Sequence, residues 1–278
     1  MQSTSHRFTG ISISHNLDHE PLPKKFNMHT HRQFEIYCFL RGKGVYHIEG
    51  SEYILHFGDI LLMRPGEAHF FELDPQHPYE RITFHVDTNY FSDVDPENSL
   101  LRPIFDRKAG KQNLYRASDF PNNGYMNYIQ NATLPTATPL SCLANLILLM
   151  QEIGNIFDSN PTINEPNSIQ YQLIGYINRH LSEPLTIQQL CDTFYLSRAE
   201  LCRRFKKATG TSIGKYISVK RLLHARQLIL QGRKPTEIYQ SSGYQDYSTF
   251  YRAYVQYFGC CPRDDRQDIP ITDRFEIT

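Results

Sequence analysis

Two stretches of the chain carry the same series of helix signals, 49 positions apart. Ser197 and Asp246, both favoured N-cap residues, each precede an amphipathic run that stops at a glycine, Gly210 or Gly259. The aligned pairs between these signals are Leu201 with Phe250, Arg203 with Arg252, and Phe205 with Tyr254. This repeat predicts two helix-turn-helix units, joined by a longer helix over roughly residues 213–232.

Helical spacing divides each repeated helix into a buried and an exposed face. Positions i, i+4 and i+7 from Leu201 and from Phe250 are apolar or aromatic, so they should face a core. Arg203 and Arg252 on the opposite faces suit bidentate contacts with guanine. The predicted DNA-binding residues are Ala199, Cys202, Arg203, Arg204, Lys206, Lys207, Ser248, Tyr251 and Arg252, with Lys215, Lys220 and Arg221 of the long helix also suited to phosphate. The alternative is a set of ordinary solvated basic faces.

The charge of the chain is divided between its two halves. Residues 1–167 carry a net charge of −6 and residues 168–268 carry +7, although the whole chain is neutral. Ten of the twelve histidines precede residue 100. A basic block beside an acidic one indicates two domains, of which the basic one faces a polyanion. Together with the repeat, this balance favours the DNA-binding interpretation.

Three runs of the back half resemble the AraC/XylS family of bacterial transcription regulators. They are Ser-x-x-x-Leu-x-x-x-Phe-Lys-Lys-x-x-Gly (197–210), Arg-Leu-x-x-Ala-x-x-Leu (221–228) and Gly-Tyr-x-Asp-x-Ser-x-Phe-x-Arg (243–252), and the resemblance covers roughly residues 169–266. The resemblance implies sequence-specific binding to double-stranded promoter or operator DNA, with RNA polymerase as a candidate partner. It also favours an activator.

The second helix-turn-helix departs from the family pattern at three places. Tyr239 stands where the family has a small residue, Val255-Gln256 replaces a lysine pair, and Pro262-Arg263 replaces Pro-Ser. Phosphate-binding charge is therefore lost and a bulky side chain gained. We expect this second unit to contribute less DNA affinity than the first.

The front half shows strand signals instead of helix signals. Residues 29–90 contain short β-rich runs separated by turns, such as "VYHIEGSEYIL" with a Gly-Ser turn. Short, regularly spaced strands predict an antiparallel sandwich or barrel. The run His-x-His-x-x-x-Glu at 29–35 with Gly42, followed by Gly58, Gly66 and His69, is similar to the two motifs of the cupin barrel. The second motif matches loosely, because Pro65 is shifted by one position and Leu73 replaces an asparagine.

The first cupin motif contains the residues of a candidate site. On one strand His29, His31 and Glu35 share a face with Tyr37. His29, His31, Glu35 and His69 together offer a ligand set for Fe, Mn, Ni or Zn. Three interpretations remain: a metalloenzyme, a non-catalytic metal site, or a metal-free pocket for a small polar ligand. The resemblance to a sensor disfavours the enzyme, and we expect the pocket to require no cofactor.

The ligand of such a pocket would be a sugar or a small polar acid. Arg64, Tyr37 and Tyr46 are predicted to bind its carboxylate or hydroxyl groups. With the histidines and Glu35, they complete the predicted small-molecule effector site.

A strongly apolar helix is predicted at residues 139–157, with Leu143, Ile147, Met150, Gly154 and Phe157 on one stripe that Leu146 and Ile153 widen. The stripe could pack on its own barrel or form the seam of a homodimer, and the sequence supports both equally.

The sequence therefore predicts an α+β protein of two domains. Residues 1–158 form a cupin-like or jelly-roll antiparallel barrel with helices, which senses a ligand and dimerises. Residues 159–168 are a linker, and residues 169–278 form an all-α domain with two helix-turn-helix motifs. The six cysteines lack a disulfide framework, and the N-terminus lacks an apolar signal segment. We expect a cytoplasmic regulator with no membrane partner and no enzymatic activity.

Overall fold

The computed structural model describes residues 2–22, 28–159, 169–265 and 274–276. The chain forms two compact units, one of Met1–Phe26 with His31–Pro166 and the other of Asn27–Thr30 with Asn167–Thr278. The predicted linker at 159–168 lies outside the described residues, except for Ser159 at the end of a helix.

Ten β-strands lie in the described residues between positions 2 and 115. These are β1 (Gln2–Phe8), β2 (Ile11–Asp18), β3 (His29–His31), β4 (Phe34–Arg41), β5 (Gly44–Ile48), β6 (Ser51–Tyr53), β7 (Ile60–Met63), β8 (His69–Leu73), β9 (Tyr79–Val86) and β10 (Leu114–Tyr115). The larger sheet is antiparallel with strand order β1-β2-β9-β4-β7-β10. Among the strands of residues 2–115, those of the smaller sheet have the order β3-β8-β5-β6. The predicted antiparallel, barrel-like fold is confirmed.

Side-chain alternation along β4 gives the larger sheet two buried faces. Phe34, Ile36 and Cys38 join the core that packs under the helices. Tyr37 and Phe39 point the other way, into an aromatic cluster with Tyr46, Ile48, Phe71, Leu73 and Tyr79 of both sheets. The inner face of β4 therefore carries Glu35 and Tyr37 into the barrel.

The β5–β6 hairpin is closed by Glu49 and Gly50, at φ 46° and 84°. Positive φ at both central residues matches the two-residue turns that suit the twist of a hairpin. The turn thus lies one residue earlier than the predicted Gly-Ser pair, and Ser51 begins β6.

The described part of the N-terminal unit contains three α-helices: α1 (Arg102–Phe105), α2 (Gly124–Thr133) and α3 (Pro139–Ser159). The buried stripe of α3 consists of Cys142, Leu146, Leu149, Met150, Ile153 and Ile156. It is turned from the predicted stripe, whose Leu143, Ile147 and Phe157 are only partly buried against the same core. Packing of α3 on its own barrel is confirmed for this face. By length and composition alone α3 could also span a membrane, but its burial fits the core helix of a folded domain.

The C-terminal unit contains α4 (Ile169–Arg179), α5 (Ile187–Phe194), α6 (Arg198–Thr209), α7 (Ile213–Leu230), α8 (Pro235–Ile238) and α9 (Tyr247–Phe258). The side chains of Ser197 and Asp246 accept hydrogen bonds from backbone N–H groups in the first turns of α6 and α9. Gly210 and Gly259 end these helices at φ 71° and 72°. The repeat of two capped helices is confirmed.

Two details of this unit differ from the prediction. A short strand, β11 (Arg274–Glu276), follows the helices, so the region 169–278 is not entirely helical. The first helix of the second helix-turn-helix, α8, has only four residues. Tyr239 lies at its C-cap and contacts the ring of Tyr247 edge-on at 5.9 Å. The bulky residue therefore packs at the end of α8 and not within it.

Candidate functional site

Strands β3, β4 and β8 bring the predicted ligand set together. The nearest ligand atoms of His29, His31, Glu35 and His69 all lie within 4.8 Å of one another. His31, Glu35 and His69 are buried and His29 is half-buried. Strand β3 carries His29 and His31, and β4 carries Glu35. The fourth residue, His69, lies on β8.

Glu35 is the centre of this group. Its Oε2 atom lies 3.1 Å from Nε2 of His31 and 3.1 Å from Nε2 of His69. Burial alone would raise the pKa of Glu35, but the imidazoles of His31 and His85 and hydrogen bonds from His31 and His69 lower it well below its ordinary value. The carboxylate is therefore charged at neutral pH.

The tautomer of His69 is fixed by the backbone. Its Nδ1 atom lies 2.7 Å from the carbonyl oxygen of Glu67, and a carbonyl only accepts, so Nδ1 carries a proton. In the neutral ring Nε2 then has a lone pair, directed at a carboxylate oxygen. The lone pair of this Nε2 atom and the buried carboxylate oxygen, 3.1 Å apart, are placed so that both could coordinate one metal ion.

His85 is a fifth member of the cluster that the sequence analysis missed. It lies opposite Glu35 in the β4–β9 register. Its Nε2 atom is 3.3 Å from Nε2 of His31 and 3.8 Å from Oε2 of Glu35. The alternation in "YERITFHV" predicts a strand with His85 on one face. Only the pairing of β9 with β4 shows that this face also carries Glu35.

Aromatic hydroxyl groups extend the cluster along the barrel interior. The hydroxyls of Tyr37 and Tyr79 lie 2.7 Å apart. The ring of Tyr46 is 4.9 Å from that of Tyr37 and stacks with His69 at 6.1 Å. Burial raises the pKa of Tyr37 well above its usual value and that of Tyr79 to about 12, so both remain protonated donors. The predicted Tyr37 and Tyr46 thus border the cluster, and Tyr79 was missed.

The guanidinium group that shares the inner face with these tyrosines belongs to Arg81. Arg81 alternates with Tyr79 and His85 along β9, lies 4.4 Å over the ring of Tyr79 and donates to Asp18 at 2.9 Å. The predicted Arg64 instead donates to the carbonyl of Arg107 and lies 4.0 Å from Glu67. Arg64 therefore belongs to a second network of polar groups.

That second network is a buried ion pair. Arg107 donates to the two oxygens of Glu67 at 2.9 and 2.8 Å, with both side chains fully buried. Gly110 and Asn113 also donate to this carboxylate. Neither Glu67 nor Arg107 was predicted, because nothing in the sequence indicates that the 107–113 loop meets the β7–β8 turn.

A row of polar side chains lies beside the cluster. In the β2–β9 register Ser12 is opposite His85, Ser14 opposite Thr83, and Asn16 opposite Arg81. The three β2 residues are half-buried. Hydroxyl, amide and guanidinium groups on one sheet face suit a small hydroxylated or acidic molecule.

The predicted DNA-binding residues lie at the surface of the C-terminal unit. In α6, Ala199, Arg203, Lys206 and Lys207 are exposed and Cys202 and Arg204 half-buried, and in α9 Ser248, Tyr251 and Arg252 are exposed. The inward residues Leu201, Phe205, Phe250 and Tyr254 are buried, whereas Tyr257 is only partly so. Each helix thus presents one polar face, as the periodicity predicted.

Glu200 holds the two arginines of α6. Its carboxylate accepts from Arg203 at 2.7 Å and from Arg204 at 2.5 Å. Hydrogen bonds from Arg203 and then Arg204 lower the pKa of Glu200. Because Glu200 binds these arginines, its side chain does not return to the N-cap backbone, and the Ser197 side chain alone caps the start of α6. The Arg203 side chain is 67% exposed, and an exposed ion pair of this kind is weak, so it does not prevent the guanidinium from binding another anion.

Arg221, which was predicted to suit phosphate, is half-buried and binds the backbone of its own unit. It donates to the backbone carbonyls of Leu181 and Glu183, both at 2.7 Å. Arg221 therefore connects two segments of the C-terminal unit.

Known domains match both parts of the chain. The model of the AraC-like ligand binding domain matches residues 22–154, and that of a helix-turn-helix domain matches residues 190–268. The chain is 25% identical over 247 residues to the Msm operon regulatory protein of Streptococcus mutans, which covers 85% of this chain and 84% of that protein. It is 24% identical over 268 residues to the transcriptional activator RhaS of Pectobacterium carotovorum, which covers 93% and 94%. The crystal structure of ToxT from Vibrio cholerae aligns with 92% of this chain and 97% of its own, at 10% identity and a TM-score of 0.38.

Proposed function

The chain belongs to the AraC family of transcription regulators, and from this premise we propose that it is a bacterial cytoplasmic activator controlled by a small polar effector. Its relatives and both domain matches indicate a regulator and not an enzyme. The activator sign is supported by the name of the RhaS relative. RNA polymerase is the partner that activation would require.

DNA recognition is proposed for the polar faces of α6 and α9. The observation that carries this proposal is the repeated, capped helix with an exposed arginine at the same place, Arg203 and Arg252. Two such helices would enter successive major-groove segments about 34 Å apart, one turn of B-DNA. The lysines at the end of α6 would contact phosphate.

Replacing Arg203 by Ala tests this assignment. The variant should relax base preference at one position and lose about 1–3 kcal/mol of binding to the preferred duplex. Duplexes selected from a random-sequence pool by the wild-type chain would provide the probe, and fluorescence anisotropy the affinities. As a matched control, Lys207→Ala should weaken all duplexes equally and reduce the salt slope by about 1. Unchanged preference at every position in the Arg203 variant would remove the residue from this role.

The effector is proposed to bind in the barrel beside the histidine cluster. The polar row on β2, the paired tyrosines and Arg81 support a sugar or a small polar acid. Binding there would favour one conformation of the chain and so change promoter occupancy. This input requires no cofactor.

The same cluster also fits a divalent metal. The fit rests on the two buried acceptors of Glu35 and His69 at 3.1 Å and on a donor set of three imidazoles and one carboxylate. His29, His31, Glu35 and His69 would hold the ion, which would supply a positive charge for an oxygen of the effector.

Metal titration tests this fit. Wild-type protein should bind one Zn²⁺ or Ni²⁺ per chain, and His69→Ala should weaken binding by at least roughly 100-fold, since removal of a ligand exceeds the effect of losing an outer contact. His180→Ala, outside the cluster, is the control. Equal binding by the wild type and the His69 variant would exclude the site, and DNA binding by metal-free protein would show that the ion is dispensable.

A homodimer is proposed through the outer face of α3. Leu140 and Leu148 are 75% and 44% exposed on this helix, and Ala144 lies between them. An apolar stripe of this kind on a helix already packed on its barrel suits a second copy of the same helix.

The variant Leu148→Arg tests the proposed homodimer. This charge on the proposed seam should convert a wild-type dimer to monomers in sedimentation velocity, because an unpaired charge would be buried between helices. Gln76→Arg, in the exposed turn between β8 and β9 and away from α3, tests whether the added charge alone matters. Persistence of dimers in the Leu148 variant would place the interface elsewhere.

A further inference from the structure

Three segments of the C-terminal unit meet at the guanidinium group of Arg221. Arg221 lies in α7, the helix between the two helix-turn-helix motifs. Its Nε atom donates to the carbonyl of Leu181 and its Nη2 atom to that of Glu183, each at 2.7 Å. Both carbonyls belong to the loop between α4 and α5, which leads into the first motif. Arg221 therefore ties the connecting helix to the first motif.

The second motif reaches the same point through Gly243. This residue lies between α8 and α9 at φ +83°, a conformation that favours glycine. A Cβ atom here would lie 2.3 Å from the carbonyl oxygen of Leu181 and 2.4 Å from Nε of Arg221. The backbone of the second motif thus packs directly on the hydrogen bond that holds the first. We name Leu181, Arg221 and Gly243 the junction.

The residue after the junction glycine connects it to the second recognition helix. Tyr244 donates to the carbonyl of Ser218 in α7 at 3.5 Å, and its ring meets Phe250 of α9 edge-on at 5.4 Å. Phe250 is fully buried. A displacement at Gly243 would therefore be transmitted to α9 by packed side chains.

We infer that this junction sets the spacing at which the two helix-turn-helix motifs read DNA. The inference rests on the proposed function, in which α6 and α9 each contact one sub-site of a duplex. When two linked modules bind one ligand, the second contact adds affinity only if the geometry permits both at once. The residues that fix the two motifs relative to each other thus determine which separation of sub-sites is bound. Arg221 and Gly243 are positioning residues that need not touch DNA.

Gly243→Ala is the informative change. Contacts of 2.3 and 2.4 Å are shorter than real Cβ contacts, so the Leu181 carbonyl or the guanidinium must move. The variant should bind the wild-type duplex about 10-fold more weakly and discriminate less between spacings. Recognition of each sub-site should persist, because the reading faces of α6 and α9 are unchanged.

Gly232→Ala provides a matched control. Gly232 has φ +86°, so alanine meets the same backbone strain, but no described heavy atom lies within 4 Å of its added Cβ. Both variants therefore place alanine at a similar positive φ and strain the backbone alike, but only Gly243→Ala disturbs the junction. Arg221→Lys is a second test that adds no atom, because lysine cannot reproduce the two-pronged contact with the carbonyls.

The experiment uses full-length chains and duplexes selected from a random pool by the wild type. Affinity is then measured for the selected duplex and for duplexes with one base pair inserted or deleted between the sub-sites. Wild type and Gly232→Ala should lose about 10-fold on the altered spacings, whereas Gly243→Ala and Arg221→Lys should show a difference below about 3-fold or a shifted optimum.

Two results would count against the inference. Folded Gly243→Ala and Arg221→Lys chains with wild-type spacing preference would overturn it, and so would selection of a single sub-site by the wild type. If Gly243→Ala does not fold, the Arg221→Lys result decides alone. Failure of the wild-type chain to enrich any duplex would instead overturn the proposed function.

Discussion

Arg226→Met is expected to destabilise the C-terminal unit by about 3–5 kcal/mol, because it leaves a buried carboxylate without its cation. Arg226 donates to the two oxygens of Asp265 at 2.6 and 2.8 Å, and the two side chains are 3% and 0% exposed. Tyr254 of α9 also donates to Asp265 at 2.6 Å. The pair thus connects α7, the second recognition helix and the segment that follows it.

Hydrogen exchange resolved by mass spectrometry measures this effect separately in each unit. Peptides from 169–265 should lose protection in the Arg226 variant, while peptides from 2–159 serve as the internal reference. Arg233→Met removes an exposed charge from the same unit and should have little effect. Protection equal to that of the wild type in peptides from α7 and α9 would contradict the prediction.

Arg107→Met should destabilise the N-terminal unit by a similar amount, about 3–5 kcal/mol. Burial by itself would raise the pKa of Glu67, and the charge and hydrogen bonds of Arg107 lower it to about 2. Without Arg107 the carboxylate remains in a fully buried position. The backbone N–H groups of Arg64 and Gly110 still donate to it, but they do not replace a full positive charge.

The double variant Arg107→Met/Glu67→Gln separates the lost charge pair from lost packing. Glutamine keeps an acceptor for these N–H groups without a buried charge, so the double variant should recover most of the stability. Exchange protection in peptides from 2–159 provides the measurement, with peptides from 169–265 as reference. A double variant as unstable as Arg107→Met would show that the uncompensated charge is not the cause.

Local signals predicted the helices of the C-terminal unit well. The N-caps Ser197 and Asp246 and the terminating glycines Gly210 and Gly259 occur where the structure uses them. These signals act over three or four residues, so the sequence contains all the information they need. The ligand set of the barrel was also predicted, although the prediction of one strand for His29, His31 and Glu35 was wrong. The structure divides them between β3 and β4, which follow each other in sequence but belong to different sheets.

Features that depend on distant pairing could not be predicted. His85 joins the cluster because β9 is the neighbour of β4, and Arg107 finds Glu67 across 40 positions of sequence. The strands β1 and β2 were missed because their alternation is largely polar, since only Ile11 and Ile13 of β2 are buried core residues. Register and strand order arise from the whole sheet, and a single segment does not encode them.

The apolar helix α3 shows an intermediate case. Its existence followed from composition, but apolar residues surround so much of the helix that several stripes fit the 3.6-residue period. The barrel selects the stripe through Leu146, Met150 and Ile153, and Leu140 and Leu148 remain exposed. Burial on one side is what makes the remaining face a candidate dimer seam.

The central claim is sequence-specific DNA binding by the C-terminal unit of a sensor protein. The most direct measurement is fluorescence anisotropy of the full-length chain with a selected duplex and with a scrambled duplex of equal length, at several salt concentrations. The account predicts binding to the selected duplex at least about 10³-fold tighter than to the scrambled one, with affinity for both falling as salt rises. Equal affinity for the two duplexes at every salt concentration would contradict it.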